Sequence, residues 1–261
     1  MATYTIQSIN QLGPEVKRAI FSQAIPAELM TAFNISPDFY DKDGNDLLWL
    51  NAEPGSSDVE MALYHQVGFP DPIFYGHIVD TINGQMHILL YILNNPNAPR
   101  FQIDRLNDGT PTKFGTAFRN LEAELAAMQA GLAPGQIRSG LRLLGSAIQT
   151  FENFVSSLGQ SYYFTEPLFY HNAILFERYG LSYQQGRKLM ERVQTGFMPG
   201  GEFFSRLDNS TPFRSPEASR SIRLRSWAIH DGILGLPFTN VTMYKQVGKS
   251  SGISTCQDCP W

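Results

Sequence analysis

The spacing of apolar residues divides the chain near residue 110. Before that point they alternate with polar residues or run in short blocks between turn formers: Leu47 to Glu53, the turn Pro54-Gly55-Ser56, Val59 to Gln66, and a long pair of apolar runs from Ile73 to Leu93. A two-residue period punctuated by Gly, Pro and Asn specifies strands. This portion predicts an antiparallel sheet, preceded by a helical stretch over 13–33 that Pro26 interrupts. Asn83-Gly84 predicts a two-residue type I′ hairpin turn, with both residues at positive φ. That register pairs Ile82 with Gln85, Asp80 with His87 and His77 with Leu90, and it sets the two histidines on opposite faces. Asp80 would then fix the ring tautomer of His87. Large apolar side chains on both faces, Phe74 and Ile78 on one, Tyr75 and Val79 on the other, predict a sheet covered on both sides.

From Thr116 the period lengthens to that of helices. Phe118, Leu121, Leu125 and Met128 form one apolar face, ended by Gly131. Pro134 suits the first turn of a second helix, in which Ile137, Leu141, Leu144, Ile148, Phe151, Val155 and Leu158 recur at steps of four and three. That heptad seam serves either intramolecular packing or a coiled-coil dimer. A short helix is expected from Phe169 to Tyr179 with Gly180 past its end, and Ser182 with Gln185 forms a capping-box pattern for a helix to Thr195. Ser215-Pro216 reads as a helix start that favours helix over 222–225, and Asn240 to Val247 as a late strand returning to the sheet. The expected class is α+β: an antiparallel sheet from the N-terminal half covered by helices from the middle and C-terminal half. One domain spans 1–261, sheet-rich over 40–110 and helix-rich over 115–235.

Composition sharpens this picture in two places. A chain 43% hydrophobic and 17% charged is that of a folded globular protein. Its longest apolar runs are too short to span a bilayer, and its first residues lack the pattern of a secretory signal, so the expected location is cytoplasmic, with no membrane partner. Charge is unevenly placed, with net −8 over 1–110 and net +4 over 111–261. The two halves can pair within the molecule or across a homo-oligomer, or the basic half can draw an anionic ligand. A sequence pI near 5.7 argues against a nucleic-acid partner.

Candidate chemistry is sparse. Eight aromatic residues between Tyr162 and Tyr183 surround His171 in sequence, with Glu166, Glu177 and Arg178 alongside. Tyr163, Tyr170 and Glu177 are the ligand-binding candidates there, with His171 as general base or haem ligand, or as a packed ring. Arginines 206, 214, 220, 223 and 225 concentrate near Trp227, His230 and Asp231; Arg220 and Arg223 are read as an anion clamp, Trp227 as a ligand contact and His230 as a proton-transfer group. The bland alternative is a solvated basic face. Cys256-Gln-Asp-Cys259 is a CxxC read mainly as an idle tail, with thiol chemistry or a shared metal as lesser readings. No two histidines have metal-ligand spacing, and no phosphate-loop, dinucleotide or metalloprotease motif occurs, so metal and cofactor stay unassigned.

Three functions fit these residues. The first is a small-molecule-binding protein, an enzyme on an aromatic or anionic molecule if His171 or His230 transfers protons beside the Arg220/Arg223 clamp. The second is a noncatalytic carrier or sensor of a flat apolar ligand such as a tetrapyrrole. The third is an oligomeric interaction protein that uses the 137–158 seam.

Overall fold

The computed structural model of the chain describes residues 3–257 and 259–261. Among them are helices α1 (Ile6–Asn10), α2 (Pro14–Phe21), α3 (Ala27–Phe33), α4 (Leu121–Gln129), α5 (Leu144–Ser157), α6 (Tyr170–Arg178), α7 (Arg187–Gly196) and α8 (Ile222–His230). The strands are β1 (Leu48–Asn51), β2 (Asp58–Leu63), β3 (Phe74–Asp80), β4 (Met86–Leu93), β5 (Tyr162–Thr165), β6 (Ser182–Gln185) and β7 (Thr242–Gln246). They form one mostly antiparallel sheet in the order β1-β2-β3-β4-β5-β7-β6, with β4 and β5 parallel. The α+β class holds, and the N-terminal half supplies the sheet's first four strands. No helix among the described residues is long and apolar enough to cross a membrane.

The chain folds as two compact units: Met1–Ala98 with Gly140–Thr165 and Tyr244–Lys249, and Pro99–Ser139 with Glu166–Met243 and Ser250–Trp261. In the first, one face of β2 and β3 (Val59, Met61, Phe74, Ile78) packs with Phe21 and Leu29 from the helices before it and Phe151, Phe154 and Val155 from α5. The opposite face of β3, Tyr75, His77 and Val79, is only half-buried, so the sheet is not covered on both sides as expected.

The β3–β4 turn also differs from the expected form. Thr81 N donates to Gln85 O at 2.7 Å and Gly84 N to Thr81 O at 2.8 Å, and of residues 82–84 only Gly84 takes positive φ. This is a three-residue turn, which pairs Asp80 with Met86 and Val79 with His87. A bulge at Leu89 absorbs the extra residue and restores the expected pairing of His77 with Leu90. His87 therefore shares a face with His77, against the expectation. The Asp80 carboxylate is used elsewhere, accepting the N–H groups of Ile6 and Gln7 at 2.9 and 2.8 Å at the start of α1.

Two helix expectations are corrected. The heptad seam does not exist as one helix, because α5 begins at Leu144 after positive φ at Gly135 and Arg142. Its residues Phe151, Val155 and Leu158 are spent in the core of their own unit. Ser182–Gln185 is strand β6, not a capping box; Gly186, at φ 93, turns the chain into α7 where a Cβ would lie 2.8 Å from Val241 Cα. Helices α6 and α8 and strand β7 form as expected.

The second unit has a core of Tyr170, Ile174, Met190, Val193, Phe197, Phe203 and Ile229, and a smaller cluster in which Trp227 stacks on Phe213. Its tail is not idle. Cys256 and Cys259 are joined by a disulfide, are 2% and 8% exposed, and pack in the larger core.

A pocket with a carboxylate-held histidine

Helix α8 builds one wall of a pocket in the second unit. Ser221 caps its start, accepting from Leu224 N at 3.2 Å. The 3.6-residue period then sets Ser226, Ile229 and His230 on a single face, and all three line the pocket. Phe169 and Tyr170, at the start of α6, add aromatic walls; Leu236 and Phe238 add apolar ones. The volume is about 520 Å³, which suits a small organic molecule.

The polar side of this pocket is an ion-pair network. Glu124 is 1% exposed in α4, where it accepts from Arg119 Nε at 2.8 Å and Nη2 at 2.6 Å through Oε2, and lies 2.9 Å from His230 Nε2 through Oε1. Arg119 also donates Nη1 to Asp231 Oδ1 at 2.9 Å. Asp231 Oδ2 in turn accepts from Arg214 Nε and the Thr211 hydroxyl, each at 2.8 Å. Burial opposes the charge on Arg119, but its bonds to Glu124 and Asp231 outweigh that and hold its pKa above the ordinary value. Two guanidinium groups thus meet two carboxylates, and the network balances its own charge.

The contact with Glu124 sets the tautomer of His230. An ionised carboxylate only accepts hydrogen bonds, so in the neutral ring Nε2 carries the proton and Nδ1 carries the lone pair. Nδ1 has no partner among the described residues. The arrangement is a carboxylate-oriented imidazole with a free basic nitrogen on a pocket wall, the geometry of a general base. Gly115 leaves room for it: a Cβ there would stand 2.7 Å from Glu124 Oε1 and 2.9 Å from His230 Nε2.

His171 is placed differently. It is 2% exposed, its Nδ1 lies 2.9 Å from Ser226 Oγ, and its ring packs between Phe169 and Trp261. Burial, reinforced by the nearby His230, pushes its pKa down to about 3, so the ring is neutral throughout the physiological range. It orients the Ser226 hydroxyl.

The remaining sequence candidates have structural tasks. Tyr163 packs against Phe151 in the first unit's core, so the aromatic run does not form one ring around His171. Tyr170 lines the pocket, while Glu177 accepts from the Tyr183 hydroxyl, from Thr255 N at 2.8 Å and from Thr255 Oγ1 at 2.6 Å, which ties down the tail. Arg223 donates to the carbonyls of Met128 and Leu132, and burial lowers its pKa. Arg220 is exposed at the end of a 3₁₀ turn. Trp227 is fully buried, with Nε1 donating to Leu132 O at 2.8 Å. Neither arginine of the expected clamp lines the pocket; Arg119 does.

Sequence reasoning missed Glu124, Arg119 and Ser226. Glu124 was hidden inside a helix whose expected apolar face is rotated, with Phe118 and Leu121 more than half exposed and Glu124 and Ala127 buried instead. In the first unit, Asp58 and Glu60 of β2 and His77 of β3 hold possible metal-ligand atoms within 4.8 Å of one another, with His77 Nε2 paired at 3.0 Å to both Asp58 oxygens.

Compared with protein-family models, curated proteins and solved structures, the chain matches none.

Proposed function

We propose that the second unit binds a small, uncharged, partly aromatic molecule in this pocket, with His230 as its proton-transfer group. The observation that carries the reading is the Glu124–His230 contact on the pocket wall, which leaves Nδ1 as the free base. Phe169, Tyr170 and Phe238 suit a flat apolar body. Arg119 does not act as an anion clamp, because Glu124 and Asp231 already take its donors. The charge-balanced network favours a hydroxyl, carbonyl or amide over a carboxylate, since the Arg119 guanidinium that lines the pocket is already neutralised by Glu124 and Asp231.

A ring-resolved titration tests this. Imidazole signals of His230 are followed while 4-ethylphenol, benzamide and benzoate are added to wild type and to Ala117→Trp, which sets a bulky indole at a lining position of the pocket. The expected result is saturable shifts with the two neutral probes, at least several-fold weaker binding of benzoate, and loss of all three in the variant. Benzoate binding as tightly as benzamide, or equal binding by Ala117→Trp, would remove the reading.

A further inference from the structure

Arg225 is a buried cation that the pocket does not use. It is 2% exposed, yet the hydrogen-bond acceptors its guanidinium meets are neutral, Ser219 O at 3.1 and 2.5 Å, Gln194 Oε1 at 2.6 Å and Cys256 Sγ at 3.4 Å, with the Tyr170 hydroxyl nearby and the Phe197 ring 5.4 Å away. Glu124 and Asp231 of the pocket network, by contrast, both have Arg119 as an ionic partner. A buried charge without a counter-ion is costly, and such a group marks a candidate functional site. Two groups beside Arg225 can become anions, the Tyr170 hydroxyl and Cys256; burial raises the pKa of Tyr170 and keeps it neutral, which leaves Cys256.

The second sulfur carries the complementary feature. Cys259 Sγ lies 3.8 Å from Gln194 Oε1, the same oxygen that accepts from Arg225. A thiol can donate to that oxygen; a disulfide sulfur cannot. One sulfur therefore faces a cationic donor and the other an acceptor, which suits a thiolate at Cys256 and a thiol at Cys259 better than the bond that joins them. Cys259 is also the more open of the two.

We propose that Cys256 and Cys259 form a redox-active dithiol–disulfide pair whose reduced state is stabilised by Arg225 and Gln194. The reductant is a dithiol. Its thiolate attacks Cys259 Sγ, the Cys256–Cys259 bond breaks, and Cys256 leaves as a thiolate against Arg225. The second thiol of the reductant then displaces Cys259, which takes up a proton as the reductant closes its own disulfide. Two electrons pass from reductant to protein. The low thiol pKa that a neighbouring guanidinium confers makes Cys256 the good leaving group and biases the pair toward accepting electrons.

The full-length protein tests this in two measurements. Reduced wild type is alkylated with iodoacetamide across a range of pH, and each cysteine is followed by peptide mass. Cys256 is expected to react with a midpoint at least one pH unit below that of an ordinary thiol at about 8.5, and Cys259 at or above it. The second measurement equilibrates the protein with reduced and oxidised dithiothreitol. Arg225→Gln is expected to need about tenfold more reduced reagent for half-reduction, with Arg225→Lys near wild type. Should Arg225→Gln fail to fold, the wild-type alkylation profile decides alone. Ordinary midpoints at both cysteines, or a disulfide that dithiothreitol opens only after denaturation, would overturn the proposal.

Discussion

His171 and His230 show how environment assigns different roles to one residue type. Both were candidates from sequence, where an isolated histidine carries no sign of its surroundings. His230 owes its orientation to Glu124, 106 positions away in sequence, and His171 owes its neutrality to burial. The pH dependence of stability follows from the second. With the folded pKa near 3 and an unfolded value near 6.5, the unfolded state binds the additional proton throughout that window. Stability is therefore fully present above about pH 6.5 and falls as pH drops toward 3, by up to about 1.4 kcal/mol per unit. Urea unfolding at pH 7, 5.5 and 4.5 should show wild type losing stability more steeply than His171→Gln. Parallel profiles would show that His171 is not the group responsible.

At the scale of elements, the sequence was most legible where local chemistry decides. Pro26 separating α2 from α3, Gly131 and Gly180 past the ends of α4 and α6, and β7 near the C-terminus were all readable from caps, breakers and period. It failed where a remote partner decides. A three-residue turn and a compensating bulge look like Asn-Gly with a simple ladder, and only the pairing strand reveals the shift. Asp80 is the clearest case: read as a cross-strand partner of His87, it instead caps α1 from 74 residues away. Asp80→Ala should cost about 1 kcal/mol and speed hydrogen exchange at the Ile6 and Gln7 amides, with the rest of β3 unchanged. Unaltered exchange at those amides would show that Thr5 and Ser8 cap the helix without help.

At the scale of the molecule, the division into two units could not be read from a change of period. Each unit is assembled from three stretches of chain, and the first takes α5 and β5 from the middle of the sequence to complete a core begun before residue 98. Charge asymmetry between the halves gave no guide either, since Arg119, Glu124, Arg214 and Asp231 all belong to the second unit and neutralise one another there. The central proposal for that unit is that its pocket binds an uncharged aromatic molecule. A crystal structure with benzamide tests it most directly. The ring is expected between the aromatic walls of Phe169 and Phe238 and the amide within hydrogen-bond distance of His230 Nδ1, with Nε2 still held by Glu124. Benzamide bound elsewhere, or turned with its amide to solvent, would contradict it.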